Sequence, residues 1–286
     1  MRTRRLAPLL AGLAAVAVAA AAALPAQPAS AAHSWSGYHW QRSANGFTLQ
    51  LGDMVNSKWD QYLIKASREW TASATDFDTQ IVPGTATVSR CDGPEARIEV
   101  CNASYGRNGW LGIAAVYTFV GDPHVRRATV KLNDTYFNKG SYNTVAWRSH
   151  VMCQEIGHAF GLAHQDEDHS NTNVGSCMDY TNTPAAGGQG LSNEQPNDHD
   201  GTMLSDVALY GHLDGATYIA SLVAATSTST ISQSVGAEQS SWGSAVSQDA
   251  SGRDDTFVRV RDGVQIATHV VWAMDELAHD HLQHQH

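Results

Sequence analysis

Residues 150–164 read His-Val-Met-Cys-Gln-Glu-Ile-Gly-His-Ala-Phe-Gly-Leu-Ala-His. On a helix, Gln154 and His158 lie four positions apart and project from one face about a turn apart, so both can reach one ion. Glu155 adjoins them, placed to accept a proton from a metal-bound water. Gly161 can take the left-handed conformation that stops a helix, which lets the chain turn and return His164 as a third ligand. Three protein ligands and one open position are the pattern of a catalytic zinc site. His150 shares the face of Gln154 but stands two turns, about 12 Å, from His158, too far to share its ion.

This frame resembles the metzincin signature His-Glu-x-x-His-x-x-Gly-x-x-His, with Gln154 in place of the first histidine. Downstream, Cys177-Met178-Asp179-Tyr180 resembles the Met-turn, and Tyr180 stands two residues after Met178. A matrixin-like member is the nearest description, and the resemblance runs from the first helix to about Asp214. It implies a twisted mixed sheet with an active-site helix, a Met-turn and a C-terminal helix, an α/β (α+β) fold. It also implies a zinc-dependent endopeptidase holding one Zn2+ through His158, His164 and Gln154. Glu155 would be the general base, Met178 the hydrophobic floor and Tyr180 a hydrogen-bond donor to the oxyanion. A peptide or protein substrate would lie along Gly109–Ala115, a run that reads equally as an ordinary core strand.

The amide at position 154 is a poorer zinc ligand than imidazole. Gln154 can ligate weakly through its carbonyl oxygen, its place can be filled by water or another side chain, or the site has lost zinc. Asp166, Asp168 and His169 are candidate stand-ins or a Ca2+ cluster, although a solvated acidic loop is the simpler reading. The alternative function is a degenerate metzincin acting as a binding module. A serine hydrolase is disfavoured, because no Gly-x-Ser-x-Gly elbow occurs.

The address is written at the N-terminus. Arg2, Arg4 and Arg5 precede an apolar run from Leu6 to Leu24, followed by the small residues Ala29-Ser30-Ala31-Ala32. This is a secretory leader, giving an extracellular protein with no membrane attachment after cleavage. Past residue 32 the chain carries 28 acidic against 15 basic side chains, which argues against nucleic acid as a partner. A monomer is expected. Export favours disulfides among the four cysteines. Cys91 and Cys101 flank Gly93-Pro94 and can staple a hairpin, which leaves Cys153 with Cys177.

The elements that must position these groups follow from periodicity. Phe47–Leu51 alternates as a strand, and Trp59, Tyr62, Leu63, Ala66 and Trp70 keep a helical period. Strands are expected around Ile81-Val82, Ile98–Val100, Leu111–Val120 and Ala128–Leu132, and a second helix over Asn143–Gly161. Met203, Val207 and Tyr210 mark a third helix. The catalytic domain is expected over 33–214. The remainder, 215–286, reads as a Ser/Thr-rich linker over Ala225–Ala250, a hairpin turning at Asp262-Gly263, and an unfolded His-rich tail. That hairpin is either a small appendage or extra strands docking on the main domain.

Overall fold

The computed structural model describes residues 33–42, 46–205, 214, 231 and 233–274. The leader, the positions Val207 and Tyr210, positions 225–230 and 232 of the linker, and the histidine tail lie outside the described residues. Among those described, no helix is long and apolar enough to cross a membrane.

The strands are β1 (His39–Trp40), β2 (Phe47–Met54), β3 (Phe77–Pro83), β4 (Arg97–Ala103), β5 (Trp110–Phe119), β6 (His124–Val125), β7 (Arg127–Asn133), β8 (Ser244–Gln248), β9 (Asp254–Arg261) and β10 (Val264–Trp272). The helices are α1 (Asp60–Ser73), α2 (Asp134–Phe137), α3 (Val145–Ala159) and α4 (Asp198–Ser205). One mixed sheet of eight strands runs β3-β2-β4-β7-β5-β10-β9-β8, and β1 pairs separately with β6. Strands β3, β2, β4 and β7 run parallel to one another, whereas β5 is antiparallel to both β7 and β10, and the order β5, β10, β9 and β8 continues antiparallel. This is the mixed α/β architecture expected.

The central strands are apolar on both faces because both are covered. Leu111 and Val116 of β5 join Trp70, Met152 and Ile156 in the core beneath α1 and α3. Trp110, Ile113 and Tyr117, on the opposite face, pack with Ile231, Val235, Trp242 and Phe257. The segment read as linker therefore contributes core residues, and β8–β10 join the main sheet, the docking alternative of the two expected. Asp262 and Gly263, both at positive φ, make the turn of the β9–β10 hairpin.

Both expected disulfides are formed, Cys91–Cys101 and Cys153–Cys177. The first does not staple a hairpin. Cys91 lies in the loop before β4, and the bridge pins that loop to a strand whose neighbours, β2 and β7, are both parallel to it.

Candidate metal centre

Helix α3 begins where the Thr144 side chain accepts a hydrogen bond from the Trp147 N–H at 3.1 Å, satisfying a donor that the first turn leaves open. From Arg148 to Ala159 every residue is buried, which suits a helix wedged between α1 and the sheet. The Trp70 indole donates to the Cys153 carbonyl at 3.1 Å and fixes α1 against it.

The helix ends in a Schellman turn: Gly161 N–H bonds His158 O at 2.9 Å, and Leu162 N–H bonds Gly157 O at 3.1 Å. Gly161 has φ +100°, and a Cβ there would run into the Tyr38 carbonyl. The emerging chain is held by the segment before β1, through Trp35 N–H to Gly161 O at 2.7 Å and Ala163 N–H to His33 O at 2.6 Å. These contacts turn the backbone back toward α3 and carry His164 with it.

His158 and His164 meet as the spacing implied. Their Nε2 atoms lie 3.1 Å apart. Two imidazoles on one tetrahedral zinc, at the usual Zn–N length, would hold their nitrogens about 3.3 Å apart. His158 Nδ1 donates to Leu162 O at 2.8 Å, so its Nε2 presents a lone pair inward. His164 Nδ1 faces Glu167 Oε1 at 3.7 Å. Outer oxygens of this kind fix the ring orientation of metal-bound histidines.

A third imidazole joins them from far along the chain. His269 of β10 packs against His158 with ring centroids 3.8 Å apart and lies 4.6 Å from His164. One ligand nitrogen from each of the three falls within 4.8 Å of the others, a group of a kind that can bind a metal. Burial, and then the neighbouring histidines, hold both His158 and His269 well below the usual imidazole range. A cavity of about 320 Å³ opens on this cluster, with Trp35, Glu167 and Asp255 in its wall.

Glu155 is wholly buried beside the cluster, with Oε2 3.8 Å from His269 Nδ1. Burial pushes its carboxyl well above the ordinary range, opposed by the backbone of Val271 and Ala114. Gly112 of β5 makes room for it, since a Cβ there would collide with Glu155 Oε1. Gly157 likewise leaves space for the Met178 sulfur, so the methionine lies against α3. Tyr180 stacks near His164 with centroids 3.9 Å apart. Its hydroxyl donates to Asp255 Oδ2 at 2.9 Å and lies 3.3 Å from His269 Nε2.

Gln154 is buried, and neither amide atom has a hydrogen-bond partner among the described residues. It lines a different cavity of about 20 Å³, together with His150, Tyr180 and Val271. His150 donates through Nδ1 to Asn193 O at 2.8 Å and takes no part in the cluster. Asp166 and Asp168 accept hydrogen bonds within their own loop, from Asn171 and Ser170 among others, and His169 stacks on Tyr180.

His269 belongs to no motif and lies in a segment expected either as an appendage or as extra strands docking on the main domain. Gly109–Ala115 is no open substrate edge, because β10 pairs along β5 from Phe119 to Trp110. The core-strand reading of that run is the one that holds. The faint signal was Val264–Trp272 itself, too apolar for an exposed appendage.

No family model matches the chain, and no curated protein matches it. Among solved structures, that of myroilysin matches 60% of this chain and 96% of its own length, with 12% identity and a TM-score of 0.33.

Proposed function

We propose that the chain is a secreted zinc-dependent endopeptidase. One observation carries the reading: His158 Nε2 and His164 Nε2 stand 3.1 Å apart, each with its outer nitrogen turned toward an oxygen, beside the buried carboxyl of Glu155. Zinc bound there would polarise a peptide carbonyl and lower the pKa of a bound water. His158 and His164 would hold the ion as neutral imidazoles. Glu155, whose raised carboxyl a cation alongside would return toward the ionised form, would take the proton at its carboxylate and give it to the leaving amine. Met178 and Trp70 back the ligand helix and keep its position rigid. Tyr180, engaged with Asp255, holds the wall of the cavity instead of standing free to donate. The leader and the two disulfides support export to an oxidising compartment.

A second reading, a binding module without turnover, draws on another observation. Strand β10 lies along the β5 edge, and Glu155 has no exposed surface. Elemental analysis of the secreted protein, with proteolysis of a casein substrate followed in parallel, separates the two. The endopeptidase is expected to hold about one zinc per chain and to lose cleavage in Glu155→Ala while keeping the metal. Zinc without any cleavage would favour the binding module. Cleavage unaffected by Glu155→Ala would remove Glu155 from the mechanism.

A further inference from the structure

We propose that His269, carried by β10, is the third imidazole of the metal centre, filling the ligand place in which the motif offers only the amide of Gln154. The proposal rests on the metal-binding part of the reading above and does not depend on turnover.

Three observations carry it. First, the three histidines enclose one point: ligand nitrogens from all three lie within 4.8 Å of one another, and the rings pack at centroid distances of 3.8, 4.6 and 4.6 Å. Second, the two motif rings present Nε2 inward, since His158 Nδ1 meets Leu162 O and His164 Nδ1 faces Glu167, and His269 packs its ring against both. Third, the cavity that opens on His158 and His164 is lined by His269 and not by Gln154, which lines the smaller cavity together with His150 and Tyr180.

The position of His269 is fixed by the sheet. Its backbone pairs with Ala114 of β5 and Thr256 of β9, so it is held by strands on both sides. The strand continues to Trp272, whose indole donates to Asp254 O at 2.9 Å, and Ala273 N–H bonds Gly109 O at 2.7 Å. A ligand on a strand anchored at both edges is as well placed as one on a helix. His269 also has a rigid neighbour in Trp35, at a ring distance of 6.3 Å.

The test is metal affinity of the full secreted chain, stripped with chelator and titrated with Zn2+ against a chromophoric competitor. His269→Ala is expected to bind about a hundredfold more weakly, as His158→Ala does, whereas Gln154→Ala stays near wild type. Circular dichroism of the metal-free forms checks that each variant folds. His269→Cys with Co2+ gives a second readout. A thiolate-to-cobalt charge-transfer band is expected only if position 269 touches the ion. His269→Ala with wild-type affinity, or His269→Cys without that band, would overturn the proposal while leaving a zinc endopeptidase possible. A wild type that binds no zinc would overturn both. Intact zinc binding without cleavage would sink only the enzymatic reading.

Discussion

Cys153, in the middle of helix α3, is bonded to Cys177, the residue immediately before Met178, with Cα atoms 5.9 Å apart. The bridge joins the helix that carries His158 to the turn that lies beneath it. It closes a separation of 24 residues, which on the chain-entropy model stabilises the fold by about 3.5 kcal/mol. The double variant Cys153→Ser/Cys177→Ser should lose stability of that order in urea unfolding. Its zinc affinity should fall as well, since the bridge flanks the segment that returns His164. Unchanged stability in the oxidised protein would mean that packing alone holds the turn.

Gly161 is the second point of leverage. A side chain there meets both a positive φ and the carbonyl of Tyr38. Gly161→Ala should cost about 3 kcal/mol, combining backbone strain with a clash that only a backbone shift relieves. It should also weaken zinc binding, because the Schellman turn sets where His164 re-enters. A thermal-unfolding midpoint equal to that of wild type would contradict this.

Acid should destabilise the metal-free protein through buried imidazoles. His150 is fully buried, and its pKa is lowered to about 4, chiefly by burial. In the unfolded chain the group protonates near 6.5, so the unfolded state gains protons first as the pH falls. The stability tied to neutral His150 is therefore complete above about pH 6.5. It declines between there and pH 4 by about 3 kcal/mol, and is level below that. His158 and His269 shift in the same direction and steepen the fall. His150→Gln, which can still donate to Asn193 O, should flatten this part of the curve in denaturant titrations run at stepped pH. A curve as steep as wild type would show that His150 is not the group responsible.

Much of the site was legible in the sequence. The helix from Val145 to Ala159 fell within the expected 143–161, Gly161 stopped it as its position implied, and the two motif histidines met. Local signals of this kind act within a turn or two, so spacing alone reveals them. The third histidine was hidden because its neighbours are distant: Ala114 and His269 pair across 155 positions. No periodicity in either segment announces that register. The same blindness made the 225–250 segment look like a linker, although Val235 and Trp242 are buried against Trp110 and Tyr117. A Ser- and Thr-rich composition conceals a few well-placed apolar anchors.

Tyr180 offers a check on the wall between the cluster and the C-terminal strands. Its hydroxyl satisfies Asp255 Oδ2, and burial raises the carboxyl of Asp255. Tyr180→Phe leaves that buried group short of a partner and should cost about 1–3 kcal/mol. Zinc stoichiometry should remain near wild type, because the imidazoles keep their own outer contacts. Loss of zinc from Tyr180→Phe, with stability unchanged, would instead make the hydroxyl part of the ion's immediate surroundings.

The pairing of β5 with β10 also sets a timetable for biogenesis. Residues 33–205 can build most of the layered core before residue 264 has left the ribosome. Until then β5 presents bare amides and carbonyls along one side, a template for pairing with another nascent chain. Contacts spanning such a length of sequence close slowly. A chain cut short before Val264 would keep the motif helix and both disulfides yet expose that edge. Such a fragment should therefore aggregate during export, and proteolytic trimming of this protein should be judged by where it falls relative to that final strand.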